Sequence, residues 1–239
     1  MNLIANVLQS SVGRKYIMAA TGGCLLLFVL VHLASNLQLF LGPEAINRYG
    51  YLLHSNPALI WAARLGLLLI LTLHIWSAVT LWLENKAARP VNYAVYHPLG
   101  STFASRTMLL SGLMVFAFIA FHILHYTAKV QLLNLAHQDF ALLIEELPGQ
   151  VPSERHDIFK MMVVGFGHPL VSGFYILSLA LLCLHLSHGA GSMFQSLGWN
   201  NEAYRPLLDR AARVAAVLIF LGYCAIPVAI LCGYGKEVL

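Results

Sequence analysis

Five stretches of this chain, approximately 16–41, 59–83, 107–128, 161–186 and 207–232, are long, apolar and nearly free of charge. A bilayer core is crossed by about 20 such residues in a helix. Membrane-barrel strands are shorter and alternate in polarity, so unbroken runs of this length point to helices. The expected fold class is therefore an all-α membrane protein with five transmembrane helices, forming one domain over 1–239. Composition agrees: 59% of residues are apolar and only 10% are Asp, Glu, Lys or Arg, against about 25% charged in soluble domains. Arg14 and Lys15 precede an apolar run too long for the core of a cleavable signal, so that run is read as the first span.

Turn-forming residues fall between the spans: Gly42-Pro43, Asn56-Pro57, Arg89-Pro90, Pro148-Gly149 and Gly198. With the N-terminus inside, the inner segments carry Arg14, Lys15, Lys86, Arg89, Arg106, Arg205, Arg210 and Arg213. The outer ones carry Arg48, Lys129, Arg155, Lys160 and Lys236. Acidic residues, including Glu145, Glu146, Glu154 and Asp157, favour the outer side. The positive-inside rule then puts the N-terminus in the cytoplasm and the C-terminus outside. The segment 129–160 alternates apolar and acidic residues and is expected at the outer interface, with Tyr16, Trp61, Trp82, Tyr126 and Trp199 as interfacial anchors.

Cys24, Cys183, Cys224 and Cys232 all lie in apolar runs and form neither CxxC nor CxxCH. Disulfides, cysteine metal sites and covalent haem attachment are not expected. No cysteine set suits an iron–sulfur cluster and no G-x-G-x-x-G follows a strand.

Histidines are the unusual polar content. His32, His74, His122, His125, His168 and His185 fall within the predicted spans, and His188 just beyond the fourth. Ionisable groups in membrane spans face the bundle interior and often mark function; a single one can equally be a helix–helix hydrogen bond. Depth sorts them. His32 lies sixteen residues beyond Tyr16 and His122 sixteen beyond Arg106, so both sit about 24 Å from the inner end. His74 lies ten residues before Glu84 on an inward-running helix, about 15 Å from that end, and His185 is at a comparable depth or less. An outer pair, His32 with His122, and an inner pair, His74 with His185, result.

Spans one and three also share a Gly-x9-His spacing, Gly22 to His32 and Gly112 to His122. Paired imidazoles on facing helices suit bis-imidazole haem ligation. Gly22, Gly23, Gly66, Gly112 and Gly173 could admit a flat macrocycle or allow close helix packing. A dinuclear carboxylate centre needs inward glutamates, and the glutamate nearest a predicted span, Glu84, lies at an interface. Zinc or copper could use histidines alone, but pairs at two depths favour two haems.

The stretches SSVGRKYIMAATGG…VHLASNLQLFLG, LTLHIWSAVTLWLENKAARP, ASRTMLLSG…FHILHY and LHLSHGAGSMFQSLGW resemble the di-haem cytochrome b anchor subunit of succinate:quinone oxidoreductases and quinol:fumarate reductases. The resemblance covers nearly the whole chain. It implies a haem-binding bundle of the first four helices, with His32 and His122 on the distal b haem and His74 and His185 on the proximal one. Within the two HxxH pairs the family pattern selects His122, ten residues after Gly112, and His185, four before Gly189 and followed by Leu197-Gly198-Trp199. His125, His188 and Arg106 become candidates for supporting the ligands or contacting haem propionates, and for the two histidines a plain interfacial role is the alternative.

The resemblance further implies a respiratory electron carrier in a bacterial-type inner membrane. A flavoprotein subunit would oxidise succinate and an iron–sulfur subunit would deliver electrons, with Arg14, Lys15, Lys86 and Arg89 a docking surface. This chain would carry no succinate site. Membrane quinone, menaquinone or ubiquinone, would be the other redox partner. His54 matches by spacing an acidic quinone-site residue of some members, with Glu44 and Arg48 as companions; an inner quinone site near Ser11 and Lys15 is a second option. Some fumarate-reducing members have a glutamate, proposed as a proton route, where this chain has Cys183. A thiol with an ordinary pKa near about 8.5 is a poor relay. Two other readings compete: a cytochrome b subunit of a hydrogenase or formate dehydrogenase, and a haem-free transporter with a histidine path.

Overall fold

The computed structural model describes residues 8–89, 91, 101–136, 138–145, 155–199 and 201–238. Pro90, Glu146, Pro148, Gly149 and Glu154, used above for punctuation and loop polarity, lie outside the described residues. The chain is all-helical. Among the described residues the only extended pairing is one antiparallel bridge, Ile144 with His156. Helix α1 spans Ser11–Asn36 and continues as a tight 3₁₀ segment to Leu41. It is followed by α2 (Pro43–His54), α3 (Pro57–Ala87), α4 (Met108–His122), α5 (Ile158–Gly167), α6 (Pro169–Ser196) and α7 (Arg205–Leu231). Among the described residues five helices are long and apolar enough to cross a membrane: Ser11–Leu41, Pro57–Ala87, Met108–Thr127, Pro169–Ser196 and Arg205–Leu231. Large apolar side chains such as Leu27, Leu65, Leu113, Leu177 and Leu218 face outward along them, an arrangement that needs an apolar solvent.

Local chemistry sets the boundaries. Gly42, at φ 99°, turns the chain into α2, whose first residue is Pro43. Asp157 caps α5 by accepting from the Lys160 N–H. Gly198, at φ 75°, closes α6 while Trp199 N–H donates to Phe194 O and Gly198 N–H to Gln195 O. That is a Schellman ending.

The fourth span differs from the expectation. The apolar run from Met161 is two helices, because His168 precedes Pro169 and adopts an extended conformation, φ −83° and ψ 118°. The span begins at Pro169, and His168 lies outside it, at the break. Span three has its own irregularity. After His122 the α-helix widens into a π turn over Ile123–Thr127, with Ala128 N–H donating to Ile123 O.

The chain falls into two compact units. One comprises Met1–Val29, Ala63–Leu113 and Cys183–Val217. In it Arg14, buried, pairs with Glu84 and donates to Leu8 O at 2.9 Å. Arg14 is therefore not available as an exposed docking charge. The other comprises Leu30–Ala62, Met114–Leu182 and Leu218–Leu239. Its core gathers Leu39, Ile46, Phe159, Met162, Val163, Phe166, Tyr175 and Ile230. Much of that core comes from α5 and α2 rather than from spans. Asn47, fully buried on α2, donates to Glu145 Oε1 (3.2 Å) and Asp157 Oδ1 (3.1 Å) and accepts from Phe159 N–H (3.0 Å).

Candidate metal-ligand histidine pairs

In the first unit, α3 carries His74 and α6 carries His185. Their ring centroids lie 6.5 Å apart, with planes inclined by 69°. In the second unit, α1 carries His32 and α4 carries His122, 5.7 Å apart and inclined by 78°. Imidazole nitrogen binds transition metals at about 2.0–2.1 Å, so two rings on opposite sides of one metal stand roughly 6–6.5 Å apart by centroid. The first pair has that separation and the second is shorter by less than about 1 Å. The pairings expected from depth are thus the pairs that face each other. Among the described residues no three His, Cys, Asp or Glu side chains converge as a metal-binding group.

In the first unit a hydroxyl meets Nδ1 of each ring. Thr21 Oγ1 stands 2.7 Å from Ile17 O and 3.2 Å from His74 Nδ1. With its single proton on the carbonyl, it accepts from His74 Nδ1–H, and Nε2 is then the ring's lone-pair nitrogen. Ser111 Oγ does the same, 3.1 Å from Met108 O and 3.2 Å from His185 Nδ1. An oriented Nδ1–H is the outer support that metal-bound histidines use. The next residue in each case is glycine. A Cβ at Gly22 would stand 3.2 Å from His74 Cε1, and one at Gly112 3.3 Å from His185 Cε1. The shared Gly-x9-His spacing therefore has a second function. Each glycine seats a histidine of the first unit, and the hydroxyl before it orients that ring.

Thr21 and Ser111 were not among the expected site residues, although Thr21-Gly22 and Ser111-Gly112 repeat the same hydroxyl–glycine order. Tyr175 was missed as well. Its buried hydroxyl lies 3.3 Å from His122 Nδ1 and 3.1 Å from His125 Nδ1. No periodicity in the sequence announces that contact. Of the other glycines proposed to admit a cofactor, Gly23 faces Met193 Sδ, while a Cβ added at Gly66 or Gly173 would meet nothing within 4 Å.

The remaining candidates are placed as follows. His125 is fully buried among aromatic rings. His188 lies half-buried on α6. Arg106, exposed, ends a single helical turn and donates to Ser101 O at 2.7 Å. Glu44, Arg48 and His54 all lie on α2. His54 Nδ1–H donates to Gly50 O (2.8 Å), and Glu44 is paired with Arg155 at 2.7 Å. That hydrogen bond and charge hold the Glu44 carboxyl below its ordinary range and raise the Arg155 guanidinium. No protein-family model, curated protein sequence or solved structure matches this chain.

Proposed function

We propose that this chain is the membrane-anchor cytochrome b of a succinate:quinone oxidoreductase or quinol:fumarate reductase, carrying electrons between an iron–sulfur subunit and membrane quinone. The observation that carries the reading is the pair of cross-helix histidine couples at ligand spacing. His74 and His185 would hold one b haem through Nε2, and His32 and His122 the other. When bound, each haem supplies one-electron chemistry. The chain's own residues supply the axial nitrogens, their orientation through Thr21 and Ser111, and an apolar exterior that holds the site in lipid. The donor set fits: each couple offers two imidazoles and no carboxylate. His54, Arg48 and Glu44 on α2 are the proposed quinone-side residues. The His54 Nε2 is not the nitrogen used toward Gly50.

A pyridine haemochrome assay on the purified protein tests this, with about two b haems per chain expected. Replacing His32, His74, His122 or His185 by Ala should each remove one haem signal. A protein without a Soret band refutes the reading and favours a haem-free transporter. The identity of co-purifying subunits separates this enzyme class from a hydrogenase or formate dehydrogenase.

A further inference from the structure

The Tyr175 hydroxyl stands between two histidines; Tyr175 is 4% exposed and His125 1%, while His122 is half-buried. A phenol has one proton, so it donates to one Nδ1 and accepts from the other. The direction rests on the haem reading above. With His122 Nε2 on the metal, its Nδ1 carries hydrogen and donates to Tyr175. The Tyr175 O–H then donates to His125 Nδ1, and His125 keeps its own hydrogen on Nε2. That Nε2 is buried with no partner among the described residues. Tyr126 and Phe140 hold the His125 ring in place, at centroid distances of 4.3 and 5.4 Å.

We propose that Tyr175 and His125 are positioning residues that act through His122, forming a directed chain His122 N–H to Tyr175 O–H to His125 that orients the ligand and raises its basicity. Outer partners of metal-bound histidine have this effect, and successive hydrogen bonds polarise one another. The two couples are then chemically unequal despite identical ligands. His74 and His185 each donate to an aliphatic hydroxyl whose proton ends on a main-chain carbonyl. His122 donates to a phenol that ends on an imidazole, so its metal is the more electron-rich on that side.

The test uses the full-length protein with its co-purifying subunits. Tyr175→Phe removes only the oxygen and keeps the ring packing against Phe118 and Phe166. Both haems should be retained. One haem should shift its low-spin EPR signal and become easier to reduce, by about tenfold in its reduction equilibrium, equivalent to about 59 mV for one electron. The other haem should be unmoved. Ser111→Ala should give the reciprocal result, moving only that other haem. His125→Phe should reproduce part of the Tyr175→Phe shift, and His125→Gln, which keeps an acceptor, should restore most of it. Two haems with unchanged potentials and EPR signals in Tyr175→Phe overturn this inference and leave the haem reading standing. Absence of haem from the unmodified protein overturns the haem reading itself. If Tyr175→Phe does not accumulate, His125→Phe decides, and unchanged signals there overturn the proposal.

Discussion

Gly22 and Gly112 show how much a single missing methyl can hold in place. Each lies against the Cε1–H edge of a histidine ring, where a Cβ at 3.2 or 3.3 Å forces the ring to yield by a few tenths of an ångström. Overpacking of this kind costs about 1–3 kcal/mol. Gly22→Ala and Gly112→Ala should therefore lower the thermal midpoint in detergent and, on the haem reading proposed above, perturb one haem absorbance band while sparing the other. Gly66→Ala and Gly173→Ala meet open space and should be neutral, or stabilising by up to about 1 kcal/mol through helix propensity. Equal losses at all four positions would mean that the glycines serve general helix packing only.

The elements outside the spans are held by polar locks. Asn47 ties α2 to Glu145, Asp157 and the Phe159 N–H. Asn47→Ala leaves the buried Phe159 N–H unmet and removes one donor each from Glu145 and Asp157, which keep Arg155 and the Lys160 N–H, at a cost of about 1–3 kcal/mol that thermal unfolding should report. His156 adds a pH dependence. Burial lowers its pKa below 6.5, helped by the Lys129 charge and opposed by its hydrogen bond to Leu143 O. The unfolded chain then binds the extra proton first, so this contribution to stability is present above pH 6.5 and lost as pH falls through the lower folded value. His156→Gln should flatten that part of a stability-versus-pH curve. Here the sequence was least informative. Alternation of apolar and acidic residues over 129–160 placed the segment at an interface but said nothing of the core beyond it, where α5 is buried at every position from Met161 to Phe166. Spans one, two, three and five were legible to within a few residues, because length and apolarity alone decide them. The fourth was misplaced because composition runs unbroken across His168-Pro169 while the backbone does not. At the sites, spacing along helices was enough to pair the histidines. Thr21 and Ser111 carried a signal in their shared hydroxyl–glycine order, whereas Tyr175 did not, since its role depends on which neighbour a hydroxyl meets across the bundle.

For the whole molecule, the topology expected from the sequence, five crossings with the N-terminus in the cytoplasm, can be tested by labelling. A cysteine introduced at Asn201 should be labelled by an impermeant maleimide only from the cytoplasmic side, and one at Ala141 only from the outside; the opposite pattern reverses the topology. The native cysteines need removal first, since Cys24 and Cys232 are exposed. The π turn at Ile123–Thr127 bears on chain length. Such a turn holds one residue more than the α-helix it interrupts. Deleting a single residue there would restore a regular helix and swing everything beyond it by about 100°. His125 and Tyr126 would leave Tyr175 while His122 stayed on its helix. Span three can therefore vary in sequence at its lipid-facing positions far more readily than it can vary by one residue in length.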